Sequence, residues 1–213
     1  MKLVWCPEMA SKAYIDGVRV LADRDDLAGS PEVAELLSAM AGGWNAQLVV
    51  EAPAEAPPSS SSAATSLALA AAARRTGGRY ACVLPDGDEE AMGGLEGVDL
   101  LVVDARRRDA ADVLRAARPG TRGMVVVRHG DDAAASRRRR GTAAAAVCSL
   151  AAGTRVVRSV YLPVGKGLEV LHVGVGKGPC LRSRGGGGGG RAAGRWIRHV
   201  NLDTGEEHVF RRQ

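Results

Sequence analysis

Aromatic residues are scarce in this sequence, with three tryptophans, three tyrosines and one phenylalanine among 213 residues. Because the hydrophobic fraction of 46% is that of a globular protein, alanine, valine and leucine must fill most of the core. The chain has no apolar run of about 20 residues, the length that a membrane-spanning helix needs. We therefore expect no membrane partner and one domain that is large enough for a substantial core.

Paired cysteines are also missing, and no CxxC spacing indicates a zinc site or a redox motif. The four cysteines stand singly at Cys6, Cys82, Cys148 and Cys180. Glu8, Lys12 and Asp16 occupy the region where a signal peptide would need an apolar stretch, so we expect reduced thiols and a cytoplasmic location.

The excess of basic residues is small, with a net charge of +5 and a pI near 9.3. This is too little to indicate nucleic-acid binding by itself. The run Arg137–Arg140 could act as a nuclear signal, which is the alternative to a cytoplasmic location, but runs of like charge are usually solvated. No aromatic residues are interleaved with it for bases to stack on, so we do not expect a nucleic-acid partner. The oligomeric state is left open.

Two helices are predicted before the first strand. Residues 7–22 carry apolar side chains at helical spacing, and Pro7 suits a first turn. The second helix begins with Ser30 as a cap and Pro31 in the first turn, and ends at Gly42. We expect both helices to pack across a sheet.

Strands and helices alternate from Gln47 onwards. The apolar runs Gln47–Glu51 and Tyr80–Asp86 flank the alanine-rich helix Ser66–Arg75, which predicts a parallel strand–helix–strand unit. Residues 52–62 are rich in proline and serine and are predicted to form a flexible loop. Further elements follow as a strand at Val98–Asp104, a helix at Asp109–Ala117, a strand at Gly123–Val127 and a helix at Thr142–Ala152.

The end of the chain is predicted to be antiparallel. Two β-rich runs around Pro163–Gly167 indicate a hairpin, and a second hairpin is predicted over residues 195–213. We expect an α/β domain over residues 1–183, a glycine-rich linker over 184–194, and the last hairpin packed on the domain.

Acidic side chains end three of the predicted strands, at Glu51, Asp86 and Asp104. In open α/β sheets ligands bind beyond the carboxyl ends of the strands, which makes these residues candidate ligand contacts. The alternative is that they cap neighbouring helices or pair with arginines. His129 follows the strand Gly123–Val127 and is the best-placed general base, although most such histidines are simply hydrogen-bonded.

The alternating sheet with an antiparallel closing hairpin resembles the class I methyltransferase fold, a Rossmann-like, mostly parallel sheet with helices on both faces. Segments similar to the motifs of caffeoyl-CoA-type O-methyltransferases are Leu48–Glu51, Ser66–Ala70, Val98–Ala105 and Leu162–Gly167. A closer resemblance, to a plant family of unknown function (domain of unknown function 1442) labelled methyltransferase-like, is carried by Met1–Trp5, Ala41–Ala46, Arg155–Val160 and Gly205–Arg212.

The resemblance implies S-adenosyl-L-methionine as the cofactor, with Glu51, Ser66, Asp86 and Asp104 as its binding residues. The sequence departs from the pattern after Glu51, where Ala52, Pro53 and serines replace a glycine loop that would let the backbone approach the cofactor. Asp104 matches one metal ligand of the caffeoyl-CoA-type enzymes, but Arg128 and His129 stand at the other two positions. A guanidinium cannot ligate a cation, so we expect no metal site.

Two functions are compatible with these observations. The leading hypothesis is a methyltransferase-like protein that transfers a methyl group to a small molecule without a metal, with His129 as the base. The alternative is a degenerate, non-catalytic Rossmann-like module for interaction or ligand binding. The acids at the strand ends favour the first hypothesis, and the missing glycine loop favours the second.

Overall fold

A computed structural model describes residues 4–24, 31–55, 60–85, 95–130, 150–176, 196–200 and 207–211. The chain divides into two compact units, residues 1–183 and 184–213. Four predicted features lie wholly or mostly outside the described residues: Asp86, the run Arg137–Arg140, the helix Thr142–Ala152 and the linker 184–194.

The first unit begins with two helices and continues with alternating strands and helices, as predicted. Its helices are α1 (Pro7–Ala22), α2 (Pro31–Gly43), α3 (Ser60–Thr76) and α4 (Ala110–Ala116). Its strands are β1 (Leu48–Ala52), β2 (Arg79–Cys82), β3 (Glu96–Val98), β4 (Leu100–Asp104), β5 (Arg118–Pro119), β6 (Met124–His129), β7 (Thr154–Leu162) and β8 (Leu168–Val175).

Six of these strands form one mixed sheet in the order β2-β1-β4-β6-β8-β7. Strands β2, β1, β4 and β6 are parallel, whereas β8 is antiparallel to both β6 and β7. The short strands β3 and β5 form a separate parallel pair. This is the class I methyltransferase-like arrangement, a parallel sheet closed by an antiparallel hairpin, and the predicted fold class is confirmed.

Helices cover both faces of the sheet. Alternate residues of the central strands point to opposite faces, so that Val102 packs with α1–α3 and Val103 packs with α4. The buried α2 side chains in the same cluster as the strands are Leu37, Met40 and Ala41, in agreement with the expected packing of this helix. The core is built from aliphatic side chains, as the scarcity of aromatic residues predicts.

Three predicted boundaries are wrong. The strand predicted over Val98–Asp104 is interrupted at Asp99, where the chain changes partners: β3 pairs with β5, whereas β4 pairs with β1 and β6. Oδ2 of Asp99 accepts hydrogen bonds from the main-chain N–H groups of Gln47 (2.7 Å) and Leu48 (3.3 Å). The loop predicted to reach residue 62 ends earlier, since α3 begins at Ser60. Strand β2 ends at Cys82, before the acid that was predicted to close it.

The second unit contains the antiparallel strands β9 (Trp196–Val200) and β10 (Glu207–Arg211). This confirms the predicted C-terminal hairpin, whereas its packing on the first unit stays a prediction. None of the helices in the described ranges is both long and apolar enough to span a bilayer.

Candidate functional site

A cavity of about 300 Å³ lies at the carboxyl ends of β4 and β6. Helices α2 and α3 and the turn between β7 and β8 complete its wall. The turn comes close to α2 because residue 165 is a glycine: a Cβ there would lie 2.5 Å from Cγ2 of Val33. Its polar and charged lining side chains are Glu55, Ser62, Thr65, Asp104, Arg106, His129 and Lys166. This volume is at the lower end of the range for small-molecule sites.

The register of the sheet places Asp104 and His129 side by side. The two residues are Cα partners at the ends of the parallel strands β4 and β6, and the N–H of Ala105 donates to the carbonyl oxygen of His129 over 2.7 Å. Both residues continue the alternation that points Val102 and Val127 toward α1–α3, so both side chains belong to the same face. The sequence predicted both as candidate residues, and the structure brings them together at one cavity.

The carboxylate of Asp104 is held by Arg106. Oδ1 accepts from the main-chain N–H (2.9 Å) and from Nε of Arg106 (3.1 Å), and Oδ2 accepts from Nη2 (2.7 Å). Burial acts to raise the pKa of Asp104, but the hydrogen bonds from Arg106 and the positive charge that His129 can carry outweigh it, so the pKa is lowered. Asp104 is therefore ionised at neutral pH.

The imidazole of His129 has a lowered pKa. Burial disfavours the charged form, the carboxylate of Asp104 opposes this effect, and the charge of Arg106 adds to it. The ordinary value is 6.5, so the lowered pKa makes the neutral form dominant at neutral pH. A neutral imidazole beside a carboxylate can accept a proton from a bound hydroxyl or amine.

The predicted residues Glu51 and Ser66 contact each other rather than the cavity. Oε2 of Glu51 accepts hydrogen bonds from Oγ of Ser66 (2.7 Å) and from the phenol of Tyr80 (2.5 Å). The side chain is almost fully buried, and burial raises the pKa of Glu51 although both hydrogen bonds act to lower it. Neither Glu51 nor Ser66 lines the cavity, and their contact with a cofactor stays a prediction.

Arg128, which stands at a position of the metal ligands in the resembling enzymes, has a different partner. Its Nη1 donates to Oε2 of Glu169 over 3.0 Å, and the register places the two residues opposite each other on β6 and β8. Among the residues that the structure describes, no three His, Cys, Asp or Glu side chains are grouped so that they could hold a metal ion.

Several residues at this end of the sheet were not predicted as site residues. Glu55, Arg106 and Lys166 line the cavity from loops, where no periodic pattern marks a charged residue as functional. Arg107 was missed for another reason: apart from Asp109, its partners are main-chain carbonyl groups 23 to 54 residues away. Two local hints were available, because oppositely charged side chains two residues apart can pair: Asp104 with Arg106, and Arg107 with Asp109.

The cavity side chains fit the amino-acid portion of S-adenosylmethionine. The carboxylate of Glu55 suits an ammonium group, and the ammonium of Lys166 and the hydroxyls of Ser62 and Thr65 suit a carboxylate. Ser62 lies in the first turn of the 17-residue helix α3, where the helix dipole also favours a negative group. The main chain after β1 does not provide the glycine loop of the resembling enzymes.

Three solved structures are similar to the chain at low identity. One is cofactor-bound Rv0187 from MTB, with 17% identity and a TM-score of 0.43 over 76% of this chain and 89% of that one. Another is a methyltransferase from Geobacter sulfurreducens, with 16% identity and a TM-score of 0.40 over 76% of this chain and 87% of that one. A third is the 16S rRNA methyltransferase RmtF in complex with S-adenosyl-L-homocysteine, with 14% identity and a TM-score of 0.37 over 79% of this chain and 76% of that one. Similarity at this level carries no inference about what this chain binds.

No curated protein is significantly similar to the chain. A family model described as "Protein of unknown function (DUF1442)" matches residues 1–91 and 86–212, which is nearly the whole sequence. The protein belongs to the DUF1442 family.

Proposed function

We propose that the protein binds S-adenosylmethionine or a related nucleoside at the carboxyl edge of its sheet, and that it transfers a methyl group to a small molecule without a metal. The observation that carries the proposal is the pairing of Asp104 with His129 at one cavity of about 300 Å³. An ionised carboxylate beside a neutral imidazole is an arrangement for proton removal.

The chain's own residues have three tasks in this proposal. Glu55, Ser62 and Lys166 would hold the amino-acid portion of the cofactor, which supplies an electrophilic methyl group when it is bound. His129 accepts the proton of the acceptor's hydroxyl or amine on one ring nitrogen. Asp104, oriented by Arg106, favours the imidazolium that this proton transfer creates.

The metal-independent route is supported by the side chains at the strand ends. Arg128 presents a guanidinium that pairs with Glu169, and a guanidinium cannot act as a metal ligand. The base therefore has to come from the protein, and His129 is the titratable cavity residue whose neutral form dominates at neutral pH.

A second function is favoured by the burial and hydrogen bonds of Glu51. In the resembling enzymes the acid after the first strand belongs to the cofactor site, but here it is buried and its Oε2 accepts from two hydroxyl groups. Such an arrangement suits a non-catalytic module that binds a small polar ligand in the cavity. Binding without turnover would be its signature.

The test is calorimetric titration of the full-length protein with S-adenosylmethionine and S-adenosylhomocysteine. Under the proposal, micromolar binding is expected. Asp104→Ala, which removes the acid that the resemblance assigns to the cofactor, and Glu55→Gln should each weaken it by about tenfold, which is the effect of losing one charge-assisted hydrogen bond. Asp112→Ala is the matched control, because this carboxylate also pairs with an arginine but is exposed and lies on α4.

The outcomes separate the two functions. Binding together with methyl transfer that disappears in His129→Gln supports the enzyme. Binding that is equal in wild type and His129→Gln, with no transfer to any of a panel of phenols, hydroxy acids and amines, supports the ligand-binding module. No binding at millimolar ligand by the folded protein would contradict the cofactor proposal.

A further inference from the structure

Arg107 is a buried arginine that connects three parts of the chain. It lies between β4 and α4, and its side chain is 1% exposed. Nη1 donates to the main-chain carbonyl oxygens of Pro53 (3.3 Å) and Val83, and Nη2 donates to that of Leu84 (2.9 Å). Nε and Nη2 also donate to the carboxylate of Asp109 (2.5 and 2.8 Å).

The three carbonyl groups belong to two loops at the same edge of the sheet. Pro53 follows β1, whereas Val83 and Leu84 follow β2, and β1 and β2 are parallel neighbours. Pro53 stands two residues before Glu55, which lines the cavity. One side chain therefore fixes the spacing between the loop that carries a cavity residue and the end of the adjacent strand.

The chemistry of the guanidinium group suits this task. Its N–H groups lie in one plane at fixed angles, so that bonds to several carbonyl groups can form in a single arrangement. A lysine could place a charge at this position, but it could not reproduce the planar set of bonds. Asp109 compensates the buried charge and pairs with the guanidinium through both oxygens.

We propose that Arg107, held by Asp109, is a positioning residue that fixes the loops after β1 and β2 and thereby sets ligand affinity at the cavity. The affinity part rests on the proposed function. In this chain Pro53 and its neighbours replace a glycine loop. The hydrogen bonds of Arg107 hold the backbone there in the fixed arrangement that ligand binding at this edge of the sheet needs. A merely stabilising ion pair would change the melting temperature without a specific effect on either loop.

The first test is hydrogen exchange on Arg107→Lys, which keeps the charge and removes the planar set of bonds. The amides of Ala52, which lies in the β1–β4 ladder, and of Val83, which donates to the carbonyl oxygen of Glu51 over 2.8 Å, should exchange about tenfold faster. This corresponds to the loss of about one hydrogen bond, while the rest of the sheet keeps its protection. Unchanged protection in these two segments, or a loss spread evenly over the sheet, would overturn the inference.

Two further variants serve as the control and as the alternative to Arg107→Lys in this experiment. Arg115→Lys is the matched control, because Arg115 forms an exposed ion pair with Asp112 on α4, and it should leave both loops unchanged. Asp109→Asn keeps every carbonyl bond of Arg107 and removes its compensating charge. It should give a smaller increase in exchange in the same two segments, and it replaces Arg107→Lys if that variant does not fold.

The second test is titration with S-adenosylhomocysteine. Affinity should fall by about tenfold or more in Arg107→Lys, because small displacements of binding groups are costly. The double variant with Glu55→Gln should lose less than the sum of the single losses, since Arg107 acts through the loop of Glu55. Equal affinity in wild type and Arg107→Lys would overturn the affinity part.

The two tests also separate this inference from the proposed function. If the wild-type protein binds neither S-adenosylmethionine nor S-adenosylhomocysteine, the proposed function and the affinity part fail together. The exchange experiment then decides by itself whether Arg107 fixes the two loops.

Discussion

The phenol oxygen of Tyr80 lies 2.5 Å from Oε2 of Glu51, and the same carboxylate oxygen accepts a second hydrogen bond from Ser66. The pKa of Tyr80 is raised, because burial and the charge of Glu51 both disfavour the phenolate. The phenol therefore remains a donor at physiological pH. The acid at the end of β1 thus acts as a structural link between β1, β2 and α3.

Replacement of Glu51 by glutamine should become more favourable as the pH rises. Burial raises the pKa of Glu51 above its ordinary value of 4.5. A group with a raised folded-state pKa stabilises the fold when the pH is below the group's ordinary pKa. This stabilisation is lost as the pH rises through the folded-state pKa. The free energy of unfolding of Glu51→Gln, relative to wild type, should therefore increase as the pH rises from about 4.5 through the raised folded-state pKa, as measured by urea denaturation.

The control for Glu51→Gln is Glu8→Gln. Glu8 is exposed, and its pKa is lowered by the hydrogen bond and charge of Lys12, so its variant should show at most a small change with pH, in the opposite direction. A stability difference between Glu51→Gln and wild type that does not vary with pH would contradict the assignment of a raised pKa.

Asp99→Ala should destabilise the fold although the residue does not line the cavity. Its buried carboxylate accepts from the N–H groups of Gln47 and Leu48 and pairs with Arg122. Buried donors without a partner cost about 1–3 kcal/mol, and this is the expected loss in urea denaturation. Asp99→Asn keeps an acceptor and should lose less. Equal losses in the two variants would show that the hydrogen bonds do not matter.

The sheet was predictable because its strands are short aliphatic runs whose pattern depends on burial alone. The strand Val98–Asp104 illustrates both the success and its limit. The run was recognised, but the interruption at Asp99 was not, because it depends on the pairing of β3 with β5 outside the main sheet. Such a partner cannot be predicted from the local sequence.

The candidate site was also predictable in part: the residues at the strand ends could be predicted, but their side-chain contacts could not. Asp104 and His129 could be placed together because parallel strands bring their carboxyl ends to one edge. The contact of Glu51 with Tyr80 and the carbonyl bonds of Arg107 could not be predicted, since both depend on side-chain reach across strands. Whether a strand-end acid faces a ligand or a neighbouring hydroxyl is decided by tertiary packing.

Gly42→Ala should destabilise the contact between α1 and α2. A Cβ at this position would lie 2.4 Å from Cβ of Ala13 and 2.6 Å from the carbonyl oxygen of Met9. Overpacking of this kind costs about 1–3 kcal/mol, which thermal and urea denaturation can measure. Gly120→Ala is the control, because its Cβ would meet its nearest atoms at 3.6 Å or more. Similar losses in both variants would refute the close helix contact.

The titration of His129 tests the proposed base without any ligand. Because burial lowers its pKa below 6.5, the unfolded chain binds more protons than the folded one between the two values. Stability should therefore fall as the pH drops through this window, and the acid limb of any methyl transfer should lie there too.

NMR titration, with the signal assigned by its loss in His129→Gln, measures the pKa directly. Asp104→Asn should lower it further, because the carboxylate favours the charged imidazole, whereas Asp112→Asn should leave it unchanged. A pKa at or above the ordinary value of 6.5 would contradict the lowered pKa that burial gives His129.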